Sequence, residues 1–332
     1  MMLDLNKLLR KLGDREGVAL ITTMMIIALL VAVVVEFNRI AIADINVSNN
    51  FRDEKRILFI TISGVNVIKE MLRLDGLYSK SDTLLEEWAK SRSYFDSATS
   101  MLGEARVEGS IVDENGKIDV NSLINDKGKF DNAQKVIWER LLSQQRFSLT
   151  EEERNTIIHS VKDWIDGDDE ITGIYGAEDS FYQGKGYHCK DAPLNNLEEM
   201  LCINGVTKDI FYGNQYKKGI RSCFTVYGGR AININTAPVP VLMTLSNDMT
   251  EEMVMEMDAF RRDDANKPQL NNKLWYKKVL HVETLLPEKL LCVSSNFFTV
   301  HIRGALRDSR KEIRTVISRS NNDTDIVYWR EM

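Results

Sequence analysis

An uncharged, apolar run near the N-terminus constrains this chain more than any other feature of its sequence. The run extends from Val18 to Val35 and contains no charged side chain. As an α-helix it would be about 27 Å long, close to the roughly 30 Å hydrocarbon core of a bilayer. Four basic residues precede the run and Glu36 follows it directly. The positive-inside rule therefore predicts a cytoplasmic N-terminus and places the rest of the chain across the membrane, which in a bacterium is the periplasm.

Three kinds of N-terminal segment agree with this run. An uncleaved membrane anchor needs only the run itself. A secretory signal peptide needs a small-x-small cleavage site, which the Ala-Ile-Ala of residues 41–43 supplies, but charged residues separate that site from a long apolar run. A prepilin leader would comprise residues 1–17. Its cleavage between Gly17 and Val18 would lie on the cytoplasmic side, so the apolar helix would remain in the mature protein.

The residues after the run favour the prepilin interpretation. Between Glu36 and Leu74 there is no proline and only one glycine, Gly64, and apolar residues recur at helical spacing. The sequence therefore predicts one helix over residues 18–74, about 85 Å long. Residues 18–35 would cross the membrane, and the second half would pack an amphipathic face against a globular head.

Composition narrows the function of the remaining chain. The 332 residues correspond to about two domains at roughly 150 residues each. A hydrophobic content of 43% and a charged content of 28% are typical of a chain that folds around a core. The net charge of −6 disfavours a nucleic-acid-binding protein, because contacts to phosphates require a basic excess.

Strand patterns bracket a mostly helical middle. Residues 106–120 alternate around Asn115-Gly116, which predicts a β-hairpin because both turn residues tolerate positive φ. In the middle, Thr150 opens a capping box before a helical pattern. Further strands are expected at 297–302, 312–318 and 325–329.

We therefore predict an α+β fold with a discontinuous head. Residues 75–122 and 293–332 would form an α/β head with an antiparallel sheet. Residues 123–292 would form a large helical domain inserted into that head. A similarity between residues 119–123 and 232–237, each leading a short strand into a helix, suggests two helical subdomains within the insertion.

An acidic, glycine-interrupted stretch is the main candidate for a metal site. Seven carboxylates lie between Asp163 and Asp179, and such a density of charge in a turn-rich loop calls for a neutralising cation. Hard oxygen ligands with no nearby His or Cys suit Ca²⁺ better than Zn²⁺. The stretch is not an EF-hand, because Ile171 and Ala177 occupy the sixth and twelfth positions. A solvated acidic loop, a two-metal hydrolase and a glycosidase pair are the alternatives.

No catalytic motif accompanies these carboxylates. The sequence contains neither a phosphate-binding loop nor a dinucleotide-binding fingerprint nor a nucleophile motif, and its four histidines, His159, His188, His281 and His301, are scattered. We therefore expect no enzymatic activity. The four cysteines, Cys189, Cys202, Cys223 and Cys292, would all be periplasmic, where two disulfides of undetermined pairing are expected, with free buried thiols as the alternative. A zinc site of His188 with Cys189 and Cys202 is a further alternative, which lacks the usual Cys-x-x-Cys spacing.

Several motifs together resemble the K-type minor pseudopilins of bacterial type II secretion systems. The resemblance runs from Gly17 before the apolar helix to Tyr328-Trp329-Arg330-Glu331 at the end of the chain. Its most distinctive parts are DWIDGDDE at 163–170, GAEDSFY at 176–182, APLNNLEEM at 192–200 and ININTAPVPVL at 232–242. It implies a pilin-like head with a helical insertion that binds calcium. It also implies cleavage and N-methylation by the prepilin peptidase.

The resemblance also implies a role and a set of partners. Such proteins form the tip of a short periplasmic pseudopilus with two other minor pseudopilins, above the major pseudopilin and the inner-membrane secretion platform. Most pilin-like proteins carry Glu at the fifth mature position, whereas this chain has Thr22; a subunit at the tip has no earlier neighbour for such a carboxylate to pair with. The first mature residue is Val18, where the family often has a residue such as Phe.

By position in the motifs, the resemblance implies five calcium ligands: Asp166, Asp168, Glu170, Glu178 and Asp179. Asp163 and Asp169 would instead cap the preceding helix or face solvent. Three other functions stay open from the residues alone. They are a minor pilin of a type IV pilus, a membrane-anchored helix-hairpin-helix nucleic-acid-binding protein, and a calcium-dependent hydrolase.

Overall fold

The N-terminal part of the molecule is one long helix. The computed structural model describes residues 5–280, 287–320 and 323–332, with side chains from residue 17 onward, so His281 lies outside the described residues. Helix α1 (Leu5–Tyr78) continues past both ends of the range expected from the sequence. All its side chains from residue 17 to residue 40 are exposed. Among the described residues, α1 alone is long and apolar enough to cross a membrane.

The chain next forms the first part of the head. Helix α2 (Arg92–Met101) is followed by strand β1 (Arg106–Asp113). Phe95 of α2 packs directly on Gly109 of β1, where a Cβ atom would collide with the ring. The glycine therefore lets the helix lie close to the strand.

The described residues between β1 and the next strand of the head sheet, 114–280 and 287–296, form the inserted domain. Its short strands are β2 (Ile118–Asp119), β3 (Phe224–Thr225), β4 (Ile232–Asn233) and β5 (Leu291–Cys292). Its helices are α3 (Asn132–Leu142), α4 (Glu151–Ile165), α5 (Asp179–Gln183), α6 (Lys208–Tyr212), α7 (Val239–Leu242), α8 (Glu251–Arg262) and α9 (Tyr276–Leu280). Its 3₁₀ helices are Val120–Leu123, Gln145–Phe147, Leu197–Cys202, Arg221–Cys223, Asp264–Asn271 and Glu288–Leu290.

The two parts of the insertion that begin at the similar segments 119–123 and 232–237 share one hydrophobic core. Trp138 of α3 contacts Phe224 of β3 with ring centroids 4.2 Å apart, and Leu242 and Trp275 belong to the same buried cluster. The internal similarity noted in the sequence has a local structural counterpart. In each copy one side-chain oxygen, that of Asp119 or of Asn233, accepts a hydrogen bond from the backbone N–H two residues later, at 2.9 and 3.0 Å. The predicted capping box at the start of α4 is confirmed.

The head sheet is antiparallel and receives most of its strands from the C-terminus. Strands β6 (Phe297–Leu306), β7 (Ser309–Ser320) and β8 (Asp323–Glu331) follow the insertion, and the strand order is β1-β6-β7-β8. Alternate residues of β6 are buried against α1. At Gly304 a Cβ atom would lie 2.7 Å from the Ile57 and Thr61 side chains, so glycine permits the close approach of helix and sheet. The predicted α+β class is confirmed.

The β-hairpin expected over residues 106–120 is wrong. β1 pairs with β6, and β2 pairs in parallel with β3 instead of returning along β1. The turn itself is present, because the Lys117 N–H donates to the Glu114 backbone oxygen at 3.1 Å around Asn115 and Gly116. The Asn115 side-chain oxygen accepts hydrogen bonds from the N–H groups of Asn296 and Phe297, at 2.9 and 3.1 Å. Here a partner strand distant in sequence replaced the local one.

A buried arginine joins the long helix to the head sheet. The guanidinium group of Arg319 at the end of β7 contacts Asp82 at 2.5 and 2.6 Å and Asp75 of α1 at 3.0 Å. It also donates to the backbone oxygens of Leu72 and Ser295, at 3.2 and 2.9 Å. Asp82 is 1% exposed. The arginine therefore neutralises buried charge while it holds the end of α1 against the sheet.

A second buried carboxylate extends this contact to the insertion. Asp113 at the end of β1 accepts hydrogen bonds from Ser295 Oγ at 2.6 Å, Thr236 Oγ1 at 2.5 Å and Asn233 Nδ2 at 3.1 Å. Asn233 and Thr236 belong to the ININTA motif, which thus places polar groups at the junction of head and insertion. The inserted domain is held to the head by hydrogen bonds in a desolvated environment.

Candidate metal centre

Three carboxylates of the acidic stretch meet in the interior of the insertion. Asp163 lies in the last turn of α4, Asp166 is its C-cap, and Glu178 immediately precedes α5. The connecting loop folds back so that one oxygen of each carboxylate lies within 4.8 Å of the others. The three residues are at most 3% exposed.

The loop between these residues depends on glycine and on the Asp163 side chain. The Asp163 carboxylate accepts the N–H of Thr172 at 3.1 and 3.2 Å, which draws the loop onto the end of α4. A Cβ atom at Gly176 would lie 2.8 Å from the Thr172 nitrogen and would also collide with Asp163. The GAED motif therefore begins with the residue that lets the chain pass close enough to bring Glu178 inward.

The buried carboxylates lack sufficient hydrogen-bond donors. Both oxygens of Glu178 and Oδ1 of Asp166 are buried without a hydrogen-bond partner among the described residues. Burial, followed by repulsion from Asp163 and Asp166, raises the pKa of Glu178 to about 8. Burial is also the main cause that raises the pKa values of Asp163 and Asp166. An unpaired buried carboxylate is costly unless it is protonated or meets a cation.

One basic side chain reaches the group. The Lys162 ammonium forms an ion pair with Asp166 and lies 3.9 Å from Asp163. Glu178 has no such partner. A divalent cation would satisfy the remaining oxygens, and an all-oxygen donor set suits a hard ion such as Ca²⁺. The residues present therefore fit calcium, with Asp163, Asp166 and Glu178 as its holders, although this cofactor stays a prediction.

The structure separates the other proposed ligands from this group. Asp168, Asp169 and Glu170 are exposed, and Oδ1 of Asp168 accepts the N–H of Glu170 at 2.9 Å. Asp179 accepts the N–H of Cys189 at 3.0 Å and contacts His188 Nδ1 at 3.0 Å. Of the five residues implied by the motifs, only Asp166 and Glu178 meet in the buried group.

Asp163 is the member of the group that the sequence reasoning placed in a capping or solvent role. A signal for it was present, because Asp163 and Asp166 are three residues apart at the end of a helix, a spacing that places side chains on one face. That face is buried, since Ser160, one turn before Asp163, is buried as well. A carboxylate on the buried face of a helix needs a partner, and the loop after α4 supplies the Thr172 N–H to Asp163.

Three histidines contact aromatic or acidic side chains, and the cysteines are not paired in disulfides. His159 contacts Phe130 and Tyr175, His188 contacts Asp179, and His301 contacts Glu312 at 2.5 Å. All four cysteines are free in the structure, so neither of the two expected disulfides is formed. Cys189 and Cys223 are buried, which agrees with the free-thiol alternative for those two residues.

The proposed processing site lies in an accessible stretch of helix. Gly17 and Val18 are exposed, and no atom lies within 4 Å of a Cβ built at Gly17. The hydroxyl group of Thr22 donates to the backbone oxygens of Val18 and Ala19, at 3.0 and 2.9 Å. The fifth position after the proposed cleavage site is thus uncharged and satisfied within its own helix.

The chain is similar in sequence to proteins of type II secretion systems. A family model described as type II secretion system protein K matches residues 116–212. The chain is 25% identical over 327 residues to the type II secretion system protein K of Pseudomonas aeruginosa, and the alignment covers 96% of this chain and 93% of that protein. It is 21% identical over 340 residues to the protein of the same name from Aeromonas hydrophila, with 95% and 96% covered.

The fold has a counterpart among solved structures. A chain in the crystal structure of the GspK-GspI-GspJ complex from enterotoxigenic Escherichia coli aligns with a TM-score of 0.64 and 16% identity. The alignment covers 86% of this chain and 99% of that chain. The family model and the two relatives agree with the motifs at 163–182 and 232–242 in making this chain similar to type II secretion system protein K, and the solved structure shares its fold.

Proposed function

We propose that this minor pseudopilin forms the tip of the type II secretion pseudopilus, together with two other minor pseudopilins, and that it initiates pseudopilus assembly. The inserted domain carries this proposal. It is a folded unit far larger than the strand connection it replaces, and it would hinder another subunit from stacking on the head. The similar chain of known structure is part of a complex with two other proteins, GspI and GspJ, which supports a three-subunit tip.

The exposed surface of α1 supports assembly through helix packing. Between the apolar run and the first contacts with the head, α1 exposes six large apolar side chains, each at least 52% accessible: Phe37, Ile40, Ile42, Ile45, Val47 and Phe51. Burial of apolar area is favourable by roughly 25 cal/mol per Å². Neighbouring helices of other pseudopilins, including the major pseudopilin, would cover this surface in a filament.

The uncharged fifth position agrees with a terminal subunit. A charged residue at Thr22 would lie in the hydrocarbon region, where an unpaired carboxylate is costly. The hydroxyl group of Thr22 is satisfied by its own helix and needs no partner from an earlier subunit. We propose a single-pass inner-membrane protein whose N-terminus is cytoplasmic and whose head is periplasmic, without enzymatic activity, that assists export across the outer membrane.

Processing of the leader is the first test of the pseudopilin role. We expect that the intact mass of the membrane-extracted protein falls by residues 1–17 when prepilin peptidase is co-expressed, with one added methyl group on Val18. The matched control is the same protein from cells without the peptidase, which should keep its full mass. An unchanged mass in both, or a loss of residues 1–43, would exclude pilin-type processing.

The second part of the proposal is that calcium fixes the loop between α4 and α5. A calcium ion held by Asp163, Asp166 and Glu178 would pin this loop to the end of α4 and neutralise the buried charge. The low exposure of all three residues supports a structural role, because a substrate could not reach them.

Lys162 should lower the affinity of this site for calcium. Its ammonium group occupies the same carboxylates, and two unit charges about 4 Å apart interact by about 4 kcal/mol at an effective dielectric constant near 20. We therefore expect Lys162→Met to tighten calcium binding at least about tenfold, which corresponds to 1.4 kcal/mol. Isothermal titration calorimetry measures this directly.

Lys208→Met is the control for that substitution, because Lys208 is an exposed lysine of the same domain. It should leave the calcium affinity unchanged. Weaker binding in Lys162→Met would contradict the competition and would mean that Lys162 holds the carboxylates in their binding arrangement.

A further inference from the structure

A buried thiol shares one carboxylate with the acidic group. Cys189 Sγ and one carboxylate oxygen each from Glu178 and Asp191 all lie within 4.8 Å of one another. Cys189 is 8% exposed and Glu178 is 3% exposed, whereas Asp191 is exposed. Glu178 therefore stands between two groups of ligand atoms, one made only of oxygen and one that contains sulfur.

The position of the thiol is fixed by its neighbours. Asp179 accepts the Cys189 N–H at 3.0 Å, which anchors the backbone after α5. The Cys189 Sγ lies 3.5 Å from the backbone oxygen of Asp163, the residue that begins the other group. The thiol thus lies beside the carboxylates, where Cys189 also adjoins the hydrophobic core of the insertion.

The unsatisfied oxygens of Glu178 point independently to a ligand here. Both oxygens are buried and have no hydrogen-bond partner within the described part of the chain, whereas an ionised carboxylate accepts about four hydrogen bonds. Lys162 pairs with Asp166 and supplies nothing to Glu178. A single cation among Asp163, Asp166 and Glu178 would leave the side of Glu178 that meets Cys189 and Asp191 without a partner.

We propose that Glu178, Cys189 and Asp191 form a second cation position that takes a thiophilic divalent ion such as Zn²⁺ or Cd²⁺. Calcium prefers oxygen ligands only, whereas zinc and cadmium bind thiolate strongly. On binding, the Cys189 thiol loses its proton to solvent and the sulfur lone pair forms the bond to the metal. Three protein ligands leave a fourth position, which water can reach beside the exposed Asp191.

This proposal does not depend on calcium at the oxygen-only group, although Glu178 is common to both. Asp191 and Cys189 belong only to the sulfur-containing group, and Asp163 and Asp166 belong only to the other. Substitutions in each pair therefore separate the two sites.

Cadmium titration of the full-length protein in detergent tests the site. The protein is first reduced, stripped of metal with a chelator and exchanged into buffer without either reagent. Added CdCl₂ should produce the ultraviolet charge-transfer band of a cadmium–thiolate bond, saturating at one ion per chain. Cys189→Ser should abolish the band, and Cys202→Ser, which changes an exposed cysteine, should leave it unchanged.

Two further variants define the remaining ligands. Asp191→Asn should weaken cadmium binding at least tenfold, since even residues that only orient a ligand cost about 10- to 100-fold in metal affinity. Asp166→Asn should retain the cadmium band while it reduces calcium binding. A band that persists in Cys189→Ser, a band lost in Cys202→Ser, or no band in the wild-type protein would overturn the proposal.

A measurement on the wild-type chain avoids any question of variant folding. Zn²⁺ should slow alkylation of Cys189 by iodoacetamide, as followed by peptide mass spectrometry, while Cys202 in the same sample reacts at an unchanged rate. Equal rates for Cys189 with and without Zn²⁺ would overturn the proposal.

Discussion

Replacing Arg319 with alanine is expected to lower the free energy of unfolding by about 3–5 kcal/mol, because the substitution leaves a buried carboxylate without its counter-charge. Asp82 would lose both of its contacts with the guanidinium group, and Asp75 would lose its own. The guanidinium group also lies 4.8 Å from the centre of the Phe298 ring, so a cation–π contact is lost as well. Denaturant unfolding of the full chain in detergent, followed by tryptophan fluorescence, measures the change.

Arg310→Ala is the matched control, because Arg310 lies on the same strand but is exposed. Its effect should stay within about 0.5 kcal/mol. Arg319→Lys keeps the charge but cannot contact Asp82, Asp75 and two backbone oxygens together, so it should restore only part of the loss. Equal effects of the alanine substitutions at 319 and 310 would show that the buried network does not stabilise the head.

Calcium is expected to stabilise the wild-type protein by about 2.7 kcal/mol at a hundredfold excess over its dissociation constant, and Glu178→Gln should remove this gain. Glu178 is the carboxylate whose oxygens have no partner among the described residues, so it should contribute most to holding the ion. Unfolding curves in calcium and in chelator give the difference for each variant. The exposed Glu252 of α8 supplies the control, since Glu252→Gln should respond to calcium like the wild type.

The pH dependence of this stabilisation follows from the raised pKa of Glu178, about 8 against an ordinary value of 4.5. When the pKa of a carboxyl group is higher in the folded than in the unfolded protein, the free energy of unfolding falls as the pH rises from the unfolded-state pKa to the folded-state pKa. The metal-free protein should therefore lose stability between about pH 5 and pH 8. Calcium should offset that loss, so the gain from calcium should grow over the same interval. A calcium gain that is independent of pH, or that survives in Glu178→Gln, would contradict the assignment of Glu178.

The elements that could be predicted from the sequence are those specified by local pattern. An uncharged run at Val18–Val35 and the lack of proline after it specify α1, and the C-terminal strands follow from their alternation. The failed hairpin at Asn115-Gly116 shows the limit of this reasoning. The local turn forms, but β1 pairs with β6, a strand distant in sequence, instead of with the residues that follow the turn.

The metal group illustrates the same limit at the level of single side chains. The composition of the acidic stretch indicated a cation, but Asp168 and Glu170 follow Gly167, where the chain leaves the buried face of α4 and enters solvent. Which carboxylates turn inward depends on the path of the loop, which is set by the Asp163–Thr172 hydrogen bonds and by Gly176. The approach of Cys189 to Glu178 depends on that path too, so spacing in the sequence could not reveal it.

The pairing of β1 with β6 has a consequence for how this architecture could arise and be altered. Asp113 and Phe298 face each other across neighbouring strands, so the chain leaves the sheet and re-enters it at almost the same point. Topologically the whole inserted domain is the loop of a two-stranded ribbon. An insertion at this place leaves the register between β1 and β6 unchanged whatever its size, because the entropy cost of closing a loop grows only slowly with its length. Natural variation and protein engineering can thus exchange the inserted domain while α1 and the head sheet are preserved.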